Sequence, residues 1–142
     1  APYVRWVKRL PNEDVLRLFA ASHIGVLLSY YEAYGYSVLE AQASGCAMIT
    51  TDVFALPELN DDSSGWTVPV AHEGLDYRSA DDRIKMGEII ESRLLTVMTQ
   101  VLNERDTIRR KGEAAIERIR GQHSPQAHAD RLRAIYFESL RR

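Results

Sequence analysis

An α/β fold, with a short parallel sheet followed by a helical C-terminal part, is predicted by three features of the sequence. Through residue 70, short apolar stretches alternate with segments of helical period, the order of βαβ units. One of those stretches, Ile24 to Leu28, is an unbroken apolar run, as in a parallel strand covered on both faces. Beyond residue 83 the strand-like runs stop, and apolar residues recur only at helical spacing.

The elements follow in order. Tyr3 to Val7 alternates bulky apolar residues with Arg5 and reads as a strand. After Pro11, Asn12 is placed to cap a helix whose first turn carries Glu13 and Asp14, favourable at the positive end of its dipole. Val15, Leu18, Phe19 and Ser22 share one face, so this helix is expected to pack on a sheet. Ile24 to Leu28 is the next strand, then comes a loop with Glu32, then a helix from about Gly35 to Ser44 stopped by Gly45. Ala47 to Thr51 and Gly65 to Val70 are strands, with one helical turn at Pro57 to Asn60 between them. The division is thus an α/β core over 1–70, a polar, acidic loop over 71–83 and a helical tail over 84–142. The tail opens with a long helix carrying Ile90, Leu94, Val97 and Val101. Two more helices follow, Arg105 to Arg120 and Pro125 to Leu140, parted by Gly121 and Ser124-Pro125.

Composition sets the outer bounds. A chain of 142 residues, 45% hydrophobic and 27% charged, is one ordinary globular domain rather than a disordered segment. The single cysteine, Cys46, cannot form an intrachain disulfide and fits a reducing, cytoplasmic compartment. Beside Gly45 it reads as small core packing rather than a nucleophile. The start at Ala1, with no methionine and no leader, reads as a fragment or a processed product. From Arg105 onward, ten Lys/Arg stand against five Asp/Glu, a local +5 within a chain of net −2. A solvated helical face explains that tail; peripheral contact with an anionic membrane surface is the alternative. No basic stretch is interleaved with stacking aromatics, so nucleic acid is not an expected partner. The four histidines lack metal-ligand spacing, and neither a metal nor a cofactor is expected.

The chemistry concentrates in Ser29 to Ala43. In an open parallel sheet, ligands bind beyond the C-terminal ends of the strands, and this segment lies there. Free amides of Tyr34, Gly35, Tyr36 and Ser37 at a helix N-terminus would make an anion site suited to a diphosphate. Gly35, lacking a side chain, would let a ligand approach the backbone. Glu32 precedes this cluster and Glu40 follows it, leaning back toward the N-terminus. Hydroxyls at both ends and a diphosphate between them, the layout of a nucleotide sugar, match this order. Ser37 and Glu40 also have the spacing of a capping box, in which Glu40 would only bond the Ser37 amide.

The stretch Y-E-A-Y-G-Y-S-V-L-E-A-Q-A-S-G resembles the Glu-x7-Glu motif of family 4 (group 1) of the retaining glycosyltransferases. Glu32, Gly35, Leu39, Glu40, Ala41 and Gly45 match its usual E-x-x-G-x-x-x-L-E-A-x-x-x-G. All six matches together should arise by chance on the order of once in ten thousand such chains. Leu56-Pro57-Glu58-Leu59 followed by Gly65-Trp66-Thr67-Val68 is similar to the family's P-E-x-x…G-x-x-V. The likeness covers roughly Val4 to Val70 and then, weakly, the tail.

The resemblance implies a Rossmann-like sheet belonging to the C-terminal half of a GT-B fold, here a single partial nucleotide-sugar-binding domain. It implies a UDP- or GDP-sugar donor and an acceptor that in many relatives is lipid-linked. By matching position, Glu40 would bind ribose hydroxyls. Glu32, the residue nearest the chemistry, would contact the transferred sugar. The amides from Tyr34 and Gly35 through Tyr36 and Ser37 to Val38 would hold the diphosphate. Lys8 and Arg9 stand where the family usually has a glycine loop near the base. The cationic diphosphate contacts and the acceptor domain of the family have no counterpart in this stretch, so the isolated chain is expected to be inactive. A sugar phosphorylase or epimerase of the same fold, or a non-catalytic nucleotide-sugar-binding or assembly subunit, are the alternative readings. In the family's strand order, 3-2-1-4-5-6, Tyr3 to Val7 and Ile24 to Leu28 are the third and fourth strands. Ile24 to Leu28 is then either a bare edge or paired with Tyr3 to Val7 through a crossover. Self-association, or inclusion in a larger folded protein, is the expectation for such an edge.

Overall fold

The computed structural model describes residues 3–141, and they form a three-stranded parallel sheet with helices packed against it. The elements run α1 (Asn12–Ala21), β1 (Ile24–Leu27), α2 (Tyr36–Ala43), β2 (Ala47–Thr51), α3 (Leu56–Leu59) and β3 (Gly65–Val68). A 3-10 turn at Ala71–Glu73 leads on to α4 (Ala80–Asn103), α5 (Asp106–Gln122) and α6 (Pro125–Ser139). Strand order is β1-β2-β3, with Ile24 beside Ala47 and Met48 beside Gly65. The α/β class, the parallel sheet and the C-terminal helices are as the periodicity predicts.

The core sits where the hydrophobic pattern is densest. Every residue of β2 is buried, and Val38, Ala41, Leu56, Leu59, Trp66, Val68, Met86 and Ile90 close around it. Helix α2 ends as its sequence requires. Gly45 adopts φ 80°, and the N–H groups of Gly45 and Cys46 reach back to the carbonyls of Gln42 and Ala41, each at 3.0 Å. Helix α5 crosses this corner closely: a side chain at Gly112 would strike the Gly45 carbonyl.

Asn60 ties the layers together from inside. Its side-chain amide donates to the carbonyls of Met48 and Trp66 and to the Thr50 hydroxyl, at 3.2, 3.0 and 3.1 Å. The buried Gln42 amide donates to the Leu59 carbonyl at 2.9 Å and to the Asn60 oxygen at 3.4 Å. Gly65 faces the same group, and a Cβ there would overlap the Asn60 oxygen and the Met48 carbonyl. On the surface, Lys111 donates to the Gly65 carbonyl at 2.7 Å and sits 5.0 Å above the Trp66 ring. Arg118 bonds Asp61 at 2.6 Å and the Glu58 carbonyl at 2.7 Å, fastening α5 to the α3–β3 connection.

Several expectations are corrected. Tyr3 to Val7 is not a strand: the segment is irregular, and Tyr3 and Trp6 are almost wholly exposed. Alternation supplies an apolar face, but a strand also needs a neighbour for its backbone groups, and β1 pairs only with β2 among the described residues. The crossover pairing is therefore not formed, and β1 is a bare edge, with Val26 half exposed rather than covered. Pro11, not Asn12, holds the N-cap position of α1, and no residue of α1 is fully buried; Leu18 lies half in solvent. The acidic loop is shorter than 71–83, because the Ser79 hydroxyl caps α4 by accepting from the Asp82 N–H. Gly121 does not part the last two helices. It is accommodated inside α5, and the break falls at His123, before Ser124 caps α6.

Two outcomes follow. Asn60→Ala removes three buried side-chain hydrogen bonds at once and should cost roughly 2–4 kcal/mol of stability, read as a lowered urea midpoint. For Asp61, burial pushes the carboxyl up, but hydrogen bonds from Ser63 and Arg118 outweigh it and bring the pKa down to about 2. That stabilisation is present above the ordinary value of 3.8 and is lost as pH falls through about 2. Asp61→Asn should therefore be less stable than wild type at pH 7 and indistinguishable from it below pH 2.

Candidate functional site

The site is built at the C-terminal end of the sheet, where the chain leaves β1, turns through Glu32 and enters α2. Gly35 is the N-cap of α2 at φ 90°, a conformation that side chains other than glycine's adopt rarely. It is buried, and a Cβ there would lie 3.0 Å from Leu59 and 3.1 Å from Leu56. Glycine is thus required for the turn and for close packing of α3.

The two carboxylates are oriented by different partners. Glu32 Oε1 accepts the Gly35 N–H at 3.1 Å, so the loop carboxylate is drawn against the start of α2. Glu40 Oε1 accepts from Asn12 Nδ2 at 3.3 Å, a bond reaching from the first turn of α1. Both glutamates are half-buried, and a carboxylate has about four acceptor positions, so each retains capacity for ligand hydroxyls. The capping box is not formed: no side chain caps α2, and Glu40 is engaged by Asn12 instead.

The amide cluster is smaller than expected. The Gly35 N–H is occupied by Glu32, and the Val38 N–H donates to the Gly35 carbonyl at 2.9 Å, closing the first turn of the helix. Both amides of the expected cluster therefore already have an acceptor inside the chain. The N–H groups of Tyr34, Tyr36 and Ser37 have no partner among the described residues, and the last two stand at the positive end of the α2 dipole. Tyr34 and Tyr36 flank them with exposed rings 4.9 Å apart. Lys8 and Arg9 lie exposed in the irregular segment leading to Asn12. No contact joins either cation to Glu32 or Glu40 among the described residues.

Sequence reasoning missed three contributors. Asn12 was visible only as a helix cap. Asp52, at the end of β2, accepts the N–H groups of Val70 and Ala71 at 2.5 and 2.8 Å and fixes the chain leaving β3. A carboxylate directly after an apolar strand was the available signal. Phe54, beside Tyr31 and Tyr77, adopts φ 50°, which nothing in a phenylalanine codon's neighbourhood announces. Cys46 is fully buried, and burial pushes its thiol up, consistent with packing.

Residues 2–76 match the family model described as glycosyl transferases group 1. Among curated relatives, the chain is 33% identical over 95 residues to a D-inositol 3-phosphate glycosyltransferase of Corynebacterium kroppenstedtii, covering 61% of the chain and 21% of that protein. It is 34% identical over 61 residues to O-antigen chain mannosyltransferase B of Escherichia coli, covering 43% of the chain and 16% of the relative. With an alpha-maltose-1-phosphate synthase of Mycolicibacterium smegmatis the identity is 30% over 134 residues, covering 94% of the chain and 32% of the relative. The chain thus spans no more than about a third of these proteins.

The strained, packed turn yields a direct test. Gly35→Ala should lower stability by roughly 1–3 kcal/mol, because strain at positive φ adds to the collision with Leu56 and Leu59. Gly74→Ala shares a positive φ but faces open space, and should lose only about 1 kcal/mol. Equal midpoints for the two variants in thermal or urea unfolding would contradict the packing role.

Proposed function

The chain belongs to the glycosyl transferases of group 1, and from that premise we propose that it carries the donor-site part of a retaining enzyme acting on a nucleotide sugar. The observation that carries this reading is the start of α2. Two unbonded amides stand at the positive end of a helix, flanked by two carboxylates whose orientations are set by separate hydrogen bonds. A UDP- or GDP-sugar has complementary parts in the same order: ribose hydroxyls, a diphosphate and sugar hydroxyls.

The roles follow from these contacts. Tyr36 and Ser37 donate their N–H groups to the diphosphate, aided by the helix dipole. Glu40, steadied by Asn12, accepts from the ribose hydroxyls with its remaining lone pairs. Glu32, held against Gly35, accepts from hydroxyls of the transferred sugar and fixes its anomeric carbon relative to the leaving diphosphate. As an oriented acceptor, Glu32 positions the sugar; it is not assigned as a nucleophile. Lys8 and Arg9, in the segment leading to Asn12, would supply positive charge near the base. The acceptor and the remaining diphosphate contacts belong, in this reading, to parts of a two-domain enzyme beyond the stretch matched here.

The carboxylates separate in calorimetry and transfer assays on the complete enzyme. Glu40→Gln should weaken UDP or GDP binding by roughly 1.5–3 kcal/mol, the usual worth of hydrogen bonds to a charged group. Glu32→Gln should leave affinity for the bare nucleoside diphosphate unchanged and lower the rate of sugar transfer. Equal losses of nucleotide affinity in both variants would refute the division of roles.

A further inference from the structure

We propose that Tyr31, Phe54 and Tyr77 form an aromatic brace for Glu32, which makes Tyr77, far along the chain, a positioning residue for the carboxylate that holds the sugar. The sugar-holding role rests on the transferase reading above; the brace itself rests on the contacts of the loop. Three consecutive residues before Glu32 are held by three different parts of the fold. The Ser29 carbonyl accepts the Thr51 hydroxyl of β2 at 2.7 Å. The Tyr30 hydroxyl abuts α4 so closely that a Cβ at Gly87 would lie 3.0 Å from it. The Tyr31 ring packs against Phe54 and Tyr77. Glu32 comes next, and its one hydrogen bond among the described residues is with the Gly35 N–H, inside the same turn. The last fixed point before the carboxylate is therefore the Tyr31 ring.

The three rings meet pairwise. Tyr31 lies edge-on to Phe54 at 4.6 Å and stacks on Tyr77 at 5.0 Å, while Phe54 and Tyr77 are edge-on at 5.5 Å. These separations fall in the range of roughly 4.5–7 Å where edge-to-face and offset rings attract. Phe54 and Tyr77 also line an apolar cavity of about 210 Å³ together with Val53, Val70, Leu75 and Met86. With open space on one side, these two rings depend on each other and on Tyr31 for their placement.

Backbone strain marks the same cluster. Phe54 is the sole non-glycine residue at positive φ among the described residues, and it is 55% exposed. A bulky residue rarely adopts that conformation, which persists only where the surroundings over-determine it. Burial does not supply the constraint at Phe54; the contacts with Tyr31 and Tyr77 do. Tyr77 in turn is delivered by a strap anchored on both sides. Before it, Asp52 accepts the Ala71 N–H at 2.8 Å, and Arg93 pairs with Glu73 at 2.6 Å. Around it, the Asp76 N–H bonds Asp82 at 3.1 Å, and the Ser79 hydroxyl caps α4. Tyr77 thereby relays the position of α4 and the end of β2 to Tyr31, and through one peptide bond to Glu32.

Hydrogen exchange at the Gly35 N–H reports how firmly Glu32 is held, with no sugar or nucleotide present. In the complete enzyme, Tyr77→Ala should speed that exchange roughly tenfold, the order expected from losing two aromatic contacts. The Cys46 N–H, just beyond the other end of α2, should keep its wild-type rate. Tyr77→Phe, which keeps the ring, should behave as wild type. Phe54→Gly, at a φ that glycine adopts freely, should keep the fold and loosen the turn as Tyr77→Ala does. In transfer assays, Tyr77→Ala should lower kcat about tenfold, because the sugar is held productively in fewer molecules, with affinity for bare UDP or GDP unchanged. An unaltered Gly35 rate in both Tyr77→Ala and Phe54→Gly, equal acceleration at Gly35 and Cys46, or no recovery with Tyr77→Phe would overturn the brace. A faster Gly35 rate with undiminished transfer, or with nucleotide affinity lost in step, would overturn its role toward the sugar. The expected Gly35 response in a protein whose wild type transfers no sugar would uphold the brace and mark failure of the transferase reading alone.

Discussion

One buried carboxamide holds the parts of this structure in register. Asn60 bonds to β2 through Met48 and Thr50, to β3 through Trp66, and to α2 through Gln42, which also holds the Leu59 carbonyl of α3. In a low-dielectric core each of these groups would be expensive to leave unbonded, so alternative packings of the four elements are disfavoured together. The functional turn inherits that order. Leu56 and Leu59 of α3 pack on Gly35, whose position sets where the N–H groups of Tyr36 and Ser37 emerge. A side chain deep in the sheet thereby fixes the start of α2 at the surface.

What could be read from the sequence was what local spacing determines. The Glu-x7-Glu pattern, the strand β2, the glycine stop after α2 and the long apolar stripe of α4 are each encoded within a few neighbouring residues. The failures depended on groups distant in the chain. Tyr3 to Val7 has strand-like alternation but no partner strand. Gly121 reads as a breaker, yet helix α5 continues through it. At the site, both glutamates were legible as carboxylates near a helix start, while the bonds that aim them were not. The Asn12–Glu40 bond joins residues 28 apart, and the Glu32–Gly35 bond removes the very amide expected to be free.

The end of the sheet is chemically divided. One part presents unbonded amides and two oriented carboxylates at the start of α2; the other is an apolar cavity lined by Phe54 and Tyr77 among others. Hydrogen-bond acceptors and donors discriminate sharply between ligands that carry hydroxyls and those that do not, whereas an apolar cavity discriminates mainly by size. Asp52, directly after β2, holds the chain leaving β3 through the N–H groups of Val70 and Ala71.

The placement of Asn60 bears also on the order in which the chain gains structure. Thirteen residues, Asp52 to Ser64, separate β2 from β3, against the nineteen from Leu28 to Cys46 between β1 and β2. The shorter connection carries Asn60 itself, so closing it forms the parallel pair and the bonds that lock it in one event. Loop-closure entropy is then recovered at once by local contacts, which favours β2-α3-β3 as the folding nucleus. The half of the sheet bearing β1 gains its native pairing afterwards, and α1, which has no fully buried residue, adds last. Substitutions along β2-α3-β3 would slow refolding, while those in α1 would chiefly hasten unfolding. On that order, the turn that ends in α2 would assemble onto a frame already built, with the amides at the start of α2 among the later parts to become ordered.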